Sequence, residues 1–251
     1  MNQNRAAAAP MHEQLRQDAK GAILFDATVS PQVDGPWFDA DHWRALGALS
    51  TQSGGRGGVA IIHTPAGECV LRHYRRGGMV ARLMGDRYLW SGADRTRSFQ
   101  EFRLLQAMAK QQLPVPQVLA AQYRRAGLYY QADLITRRIA DAHTLAESLT
   151  QGRLDAELAR EVGTLAARFH RAGVWHADLN AHNVLIAPTG LYLVDFDRGR
   201  LRTPEQSWRM ANLQRLRRSL FKLGAAAQGE AVFDQAIWTP LMDGYEETLG
   251  A

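Results

Sequence analysis

Three oxygen-bearing side chains stand at an ordered spacing in the second half of this chain. His176-Ala177-Asp178-Leu179-Asn180-Ala181-His182-Asn183 is followed by Asp195-Phe196-Asp197, so Asp178, Asn183 and Asp195 lie five and then twelve positions apart. Carboxylate and amide oxygens suit a hard divalent cation such as magnesium or manganese. A carboxylate in a loop is also a proton acceptor. The structural alternative is that Asp178 and Asn183 cap a turn and Asp195 ends a strand.

A second set lies upstream. Ser53-Gly54-Gly55-Arg56-Gly57-Gly58 precedes a β-prone run, and glycines there let backbone N–H groups approach phosphates closely. A plain flexible turn is the alternative. Arg72, Arg75, Arg76, Arg82 and Arg87 fall within sixteen residues, which points to an anionic ligand because guanidinium forms bidentate contacts with phosphate and carboxylate. The other reading is a solvated basic face. Of the 30 basic residues only Lys20, Lys110 and Lys222 are lysines, a bias that high-GC coding also produces.

The elements that must position these residues follow from the apolar pattern. Residues 1–20 lack periodicity and are expected to form an N-terminal arm. Val59-Ala60-Ile61-Ile62, a turn at Pro65-Ala66-Gly67, and Cys69 to Tyr74 predict a hairpin. Residues 98–110 predict a helix, with Ser98 as N-cap and Glu101 completing a capping box. Leu128 to Ile139 predicts a strand and about Leu145 onward a helix. Leu158, Val162, Leu165 and Phe169 mark the clearest helix, 157–172, closed by Gly173. Val184 to Ile186 and Leu191 to Val194 predict a second hairpin. After Pro204 the chain reads as helical, with Leu213, Leu216, Leu220 and Leu223 on one face. The order implies a strand-rich lobe at 21–136 and a mainly helical lobe at 137–251, together one domain with a cleft between its lobes.

The loop and its partners resemble the protein-kinase-like fold, whose catalytic loop reads His-x-Asp with Asn five positions on, followed by Asp-Phe-Gly. That resemblance implies an α+β, bilobal fold in which Asp178 is the catalytic base, Asn183 and Asp195 hold Mg2+, and Gly54, Gly55, Gly57 and Gly58 cover the phosphates of ATP. His176 is expected to brace the loop. In such kinases a lysine on the third strand contacts the phosphates and pairs with a helix glutamate. No lysine lies between Lys20 and Lys110; Arg72 is the residue in register and Glu101 its expected partner. Asp197 replaces the motif's glycine. Only about a dozen residues separate Asp195 from the helix near Trp208, too few for a peptide-binding activation segment, so no protein substrate is expected.

Arg72-His73-Tyr74-Arg75-Arg76-Gly77-Gly78, Tyr129 to Thr136, His176 to Asn183 and Val194 to Gly199 together resemble the kinases of 3-deoxy-D-manno-octulosonic acid (Kdo) in lipopolysaccharide biosynthesis. The resemblance implies ATP-dependent phosphorylation of the 4-hydroxyl of Kdo on a lipid A precursor, in peripheral contact with the cytoplasmic face of the inner membrane. Arg75, Arg76 and Arg82 are then expected to bind this anionic acceptor, with Arg137 and Arg138 adding charge. A kinase of the same fold acting on core heptose or a soluble small molecule is the alternative, as is a non-catalytic binding module. Retention of Asp178, Asn183 and Asp195 argues against the module.

Composition agrees. With 46% hydrophobic and 22% charged residues the chain is neither disordered, collagenous nor coiled coil. Its net charge of +5 allows nucleic-acid binding, yet no aromatics interleave with the arginines as a stacking platform requires. The lone Cys69 points to a reducing compartment. No run reaches the roughly 18 apolar residues of a membrane span. Arg5 followed by four alanines before Pro10 falls short of a signal peptide, so a cytoplasmic location is expected.

Overall fold

A computed structural model of the protein describes residues 13–50, 58–75 and 85–250. The chain divides into two compact units, Met1–Lys110 with Gln117–Arg138, and Gln111–Pro116 with Ile139–Ala251. Among the described residues no helix is long and apolar enough to cross a membrane.

Among the described residues eight strands build the first unit: β1 (Glu13–Asp18), β2 (Gly21–Asp26), β3 (Leu49–Ser50), β4 (Gly58–Thr64), β5 (Gly67–His73), β6 (Tyr88–Leu89), β7 (Val118–Ala126) and β8 (Tyr129–Arg137). They form one antiparallel sheet in the order β1-β2-β7-β8-β5-β4-β3, with β6 also on β8. Strand residues alternate between faces, and the alternation in β5 sorts core from chemistry. Cys69 and Leu71 join Ile23, Phe25, Ile62 and Ile135 on one face, where Phe38 and Trp43 cover them. Trp43 comes from the short helix α1 (Ala40–Ala45), capped by Asp39. Arg72 and Tyr74 point to the opposite face. There helix α2 (Arg97–Lys110) buries Phe99, Phe102, Leu105 and Met108 against β7 and β8. Each such side chain contributes roughly 1.5–3 kcal/mol by leaving water.

Two expectations need correction here. Residues 13–18 are a strand rather than part of a loose arm, paired with β2 from Glu13↔Asp26 to Asp18↔Gly21. All six are exposed: backbone pairing with β2, helped by Arg16 on the Val33 carbonyl at 3.0 Å and Glu13 on Arg103 at 3.2 Å, holds this edge without buried apolar groups, so it carries no apolar alternation to read. The expected capping box is also absent. Ser98 lies inside the helix and donates its hydroxyl to the Gln122 carbonyl at 2.8 Å, while Glu101 turns toward the sheet.

In the second unit are α3 (Leu145–Thr150), α4 (Ala156–Arg171), α5 (Gln206–Lys222), α6 (Glu230–Phe233) and α7 (Thr239–Gly250), with a π-helical turn at Asp234–Trp238. A three-stranded sheet joins β9 (His143–Thr144), β11 (Val184–Ala187) and β12 (Gly190–Leu193), and β10 (Val174–Trp175) pairs with β13 (Arg200–Leu201). Asp155 caps α4, accepting from the Leu158 amide at 2.9 Å. Helices α4 and α7 meet backbone to backbone: a Cβ on Gly163 would stand 1.9 Å from the Leu241 carbonyl oxygen, and one on Gly244 2.2 Å from that of Arg160. Leu213, Leu216 and Leu220 are fully buried, so the leucine stripe of α5 is core.

Candidate active site

In the first unit the site is built on β5 and α2. Arg72 in β5 and Tyr74 just past its end, whose amide continues the ladder to the Ala132 carbonyl at 3.0 Å, are two residues apart on extended backbone and therefore share a face. Above them Glu101, 3% exposed, receives the Arg72 guanidinium through Nη2 and the Tyr74 hydroxyl at 2.6 Å. Arg72 Nη2 also lies 3.1 Å from the Tyr74 oxygen, with the guanidinium 4.8 Å from the Tyr74 ring centre. A buried carboxylate is tolerated only with such partners. The pairing expected of Arg72 and Glu101 is present, and Tyr74 is an unforeseen third member. Arg75 follows β5 and is exposed. Arg138 is held by Glu68 at 2.6 Å. Gly54, Gly55, Gly57, Arg76 and Arg82 lie outside the described residues, and Gly58 opens β4.

Beside this cluster His73 lies between two carboxylates. Its Nδ1 is 2.6 Å from Asp133 and its Nε2 2.7 Å from Asp86. The hydrogen bond to Asp133 holds its pKa above the ordinary imidazole value, against the opposing effect of burial.

In the second unit Asp178, Asn183 and Asp195 are positioned by a hairpin and by one buried histidine. The β11–β12 ladder runs from Ala187↔Gly190 to Val184↔Leu193, and the Val194 amide extends it by donating to the Asn183 carbonyl at 3.0 Å. That pairing brings Asn183 and Asp195, twelve apart in sequence, to the same end of the hairpin. His176 ties Asp178 to this end. Its Nδ1 accepts from the Asp178 amide at 3.1 Å, so its Nε2 carries the proton and donates to the Val194 carbonyl at 3.0 Å. Burial lowers the His176 pKa, which keeps the ring in this neutral tautomer. The ring also packs 4.7 Å from that of Phe196, itself stacked 5.7 Å from Phe169. Asn212 of α5 closes the frame, accepting from the His176 amide at 3.2 Å and donating to its carbonyl at 2.9 Å.

Asn183 donates Nδ2 to the Asp178 carbonyl at 2.9 Å, which turns its Oδ1 away as an oxygen ligand. Asp195 is exposed and adopts φ 62°, a left-handed conformation costing roughly 1–3 kcal/mol and held only where the surroundings impose it. Among the described residues no group of three His, Cys, Asp or Glu side chains is arranged to hold a metal. One amide and one carboxylate fit magnesium, which keeps water and phosphate oxygens in its shell rather than an all-protein cage.

Asp178 is about half exposed and is met by Arg215 of α5, whose Nε donates to Oδ1 at 2.7 Å and whose Nη2 lies 2.6 Å from the same atom. Arg215 reads in the sequence only as part of the basic charge of the last helix, and its contact with Asp178 is new. It stands 37 positions away, and only packing of α5 under the loop brings it there. Such a loop carboxylate, held through one oxygen, can accept a proton at the other.

Residues 40–245 match the Lipopolysaccharide kinase (Kdo/WaaP) family. A relative from Stenotrophomonas maltophilia strain R551-3 named 3-deoxy-D-manno-octulosonic acid kinase is 50% identical over 205 residues, 81% of each chain. A relative of the same name from Xanthomonas oryzae pv. oryzae strain PXO99A is 48% identical over 213 residues, 84% of this chain and 85% of its own. Among solved structures, WaaP in complex with acyl carrier protein aligns with a TM-score of 0.52 over 82% of both chains at 17% identity, a likeness of fold that agrees with the kinase-like α+β architecture. With its loop, hairpin and strand–helix ion pair in the order of that fold, and half its residues shared with such relatives over four-fifths of its length, the chain belongs to the Lipopolysaccharide kinase (Kdo/WaaP) family.

Proposed function

We propose that the protein transfers the γ-phosphoryl group of ATP to the 4-hydroxyl of Kdo on a lipid A precursor. One observation carries this reading: a buried neutral His176 fastens the proton acceptor Asp178 to the hairpin end that presents Asn183 and Asp195. Phosphoryl transfer asks mainly for positioning and charge neutralisation, and that frame supplies positioning.

As the acceptor oxygen bonds to phosphorus and the bond to ADP breaks, Asp178 takes the hydroxyl proton. Both donors of Arg215 rest on Oδ1, which orients the carboxylate and leaves Oδ2 for that proton. Arg72, steadied by Glu101 and Tyr74, contacts the nucleotide phosphates, and Gly54, Gly55, Gly57 and Gly58 cover them with backbone N–H groups. Magnesium held by Asn183 and Asp195 neutralises phosphate charge when bound. Arg75, Arg76 and Arg82 draw in the anionic glycolipid, and near an anionic bilayer each contributes roughly 1 kcal/mol to peripheral attachment. The general base accounts for about 10²–10⁴-fold in rate.

The test is transfer of labelled γ-phosphate, with magnesium, to Kdo-bearing lipid A precursor beside the same lipid without Kdo. Label is expected only on the Kdo lipid, and Asp178→Asn is expected to lower turnover by at least 10²-fold while ATP binding persists. Equal labelling of both lipids would sink the acceptor assignment, and an unimpaired Asp178→Asn the base.

A further inference from the structure

Toward the C-terminal half of α5 the basic residues have two opposite surroundings. Arg217 faces Glu230 and Asp234, each at 2.7 Å, and its charge is cancelled within the fold. Arg215, Arg218 and Lys222 follow one another at helical spacings of three and four and share the other face. Together with Asp178, Asn180 and His182 they line a cavity of about 300 Å³, at the small end of the roughly 300–1,000 Å³ typical of ligand sites. Ser219, between them, accepts from the Ala181 amide at 3.0 Å and pins the helix to the catalytic loop. This cavity therefore adjoins the proton acceptor by construction.

Its charge is lopsided. Among the described residues Asp178 is the only carboxylate in the lining, and Arg215 already occupies it. Arg218 and Lys222 are exposed and form no salt bridge among the described residues. Two cations with no acid opposite them among the described residues, on a helix whose Arg215 and Arg217 each meet acids, match an anionic ligand group. The sugar acid carries such a group close to the reacting centre, since its carboxylate sits on the ring carbon two positions from the one bearing the 4-hydroxyl.

We propose that this cavity is the acceptor subsite and that Arg218 and Lys222 bind the carboxylate of the sugar being phosphorylated, so that its hydroxyl falls against Asp178. The assignment rests on the reading of the acceptor as Kdo. It makes Arg218 and Lys222 specificity-determining residues, and Arg215 a positioning residue that acts through Asp178.

The experiment compares wild type, Arg218→Gln, Lys222→Gln and the double variant on three acceptors: the Kdo lipid, the same lipid with its Kdo carboxylate methyl-esterified, and the same lipid stripped of its lipid A phosphates. Thermal melts and ATP titration accompany each variant, and both are expected unchanged because neither side chain has a folding partner. On the Kdo lipid each single variant is expected to raise KM roughly 10- to 100-fold, as removal of one charge-assisted contact does, with the loss in KM rather than kcat. On the ester, wild type should show the same loss and the double variant no further one. Dephosphorylated lipid should preserve the wild-type advantage. An unchanged KM in the double variant overturns the subsite, and so does an advantage that vanishes on dephosphorylated lipid but survives on the ester, which would place a lipid phosphate there. Wild type that binds ATP yet leaves the Kdo lipid unlabelled overturns the acceptor reading itself, and the carboxylate assignment falls with it.

Discussion

At the scale of single residues, an arginine occupies the place where kinases of this fold use lysine, and its surroundings explain how. A guanidinium offers several donors in a fixed plane, whereas an ammonium is a point charge. Nη2 of Arg72 reaches both Glu101 and the Tyr74 oxygen, which fixes the plane of the fork proposed above to meet the nucleotide phosphates. Arg72→Lys keeps the charge and loses the fork; the expected result is a roughly tenfold higher KM for ATP, at about 1.4 kcal/mol per tenfold, read from ATP titrations of initial rate. Tyr74→Phe removes one donor from a carboxylate that is 3% exposed and is expected to cost about 1–3 kcal/mol of stability, seen in thermal melts. Unaltered ATP dependence in Arg72→Lys would place the arginine outside nucleotide binding. The Arg72–Glu101 pair and the shared placement of Asp178, Asn183 and Asp195 were legible because each is tied to a residue type within a short segment or at a strand register. Tyr74 was legible in principle, being two positions from Arg72 on extended backbone. Arg215 was not, because its contact with Asp178 arises from tertiary packing alone.

At the scale of elements, what could be read is what buries an apolar stripe. Helix α4 shows Leu158, Val162, Leu165 and Phe169 at helical spacing, and its observed span Ala156–Arg171 lies one residue from the expected one. The edge strand β1 escaped because its side chains bury nothing. The role of Glu101 was half read: its pairing with Arg72 followed from the register, but its spacing from Ser98 also imitated a capping box, and local pattern cannot weigh a cap against a partner in the sheet. Contact between α4 and α7 was equally illegible, since a glycine within a helix reads as a cost of about 1 kcal/mol until the partner helix is known. Here the absence of a side chain at Gly163 and Gly244 lets the two backbones touch. Gly163→Ala gains helix propensity of about 1 kcal/mol and meets backbone that cannot swing aside. Overpacking of this kind costs about 1–3 kcal/mol or more, so the net expectation is a lower melting temperature by several degrees. Gly35→Ala, where an added Cβ meets nothing within 4 Å, serves as the neutral comparison. A Gly163→Ala protein that melts at or above the wild-type temperature would show that the helices separate easily.

At the scale of the whole molecule, the buried histidines make stability depend on pH in opposite senses in the two units. His170 lies under α7, with Nδ1 3.0 Å from the Tyr245 hydroxyl, and burial lowers its pKa from 6.5 to about 4; His176 is lowered for the same reason. Both are neutral when folded. Between pH 6.5 and 4 the unfolded chain binds a proton at His170 that the folded chain refuses, and the lowered His176 acts in the same sense below 6.5, so stability must fall as pH falls through this window. For His170 alone the loss is about 2 kcal/mol by pH 5 and about 3 kcal/mol once both states are protonated. His73 works the other way. Its raised pKa means that its contribution is fully present below the unfolded value near 6.5 and disappears as pH rises through the folded one. Asp86, which burial would raise, is lowered by its hydrogen bonds from His73 and Gln131, so the same cluster weakens again when strong acid protonates that carboxylate. Hydrogen exchange at pH 7 and pH 5, corrected for the intrinsic rates, separates these effects because it reports opening region by region. Acidification is expected to reduce protection across α4 and α7, while the amides of β5 and β8 around His73 keep theirs. His170→Asn removes the titrating ring, and although it lowers stability at pH 7 it should flatten the pH dependence of α4 and α7. Equal losses in both regions, or an undiminished slope in His170→Asn, would show that the acid sensitivity arises elsewhere than in the neutral histidines that hold the catalytic unit together.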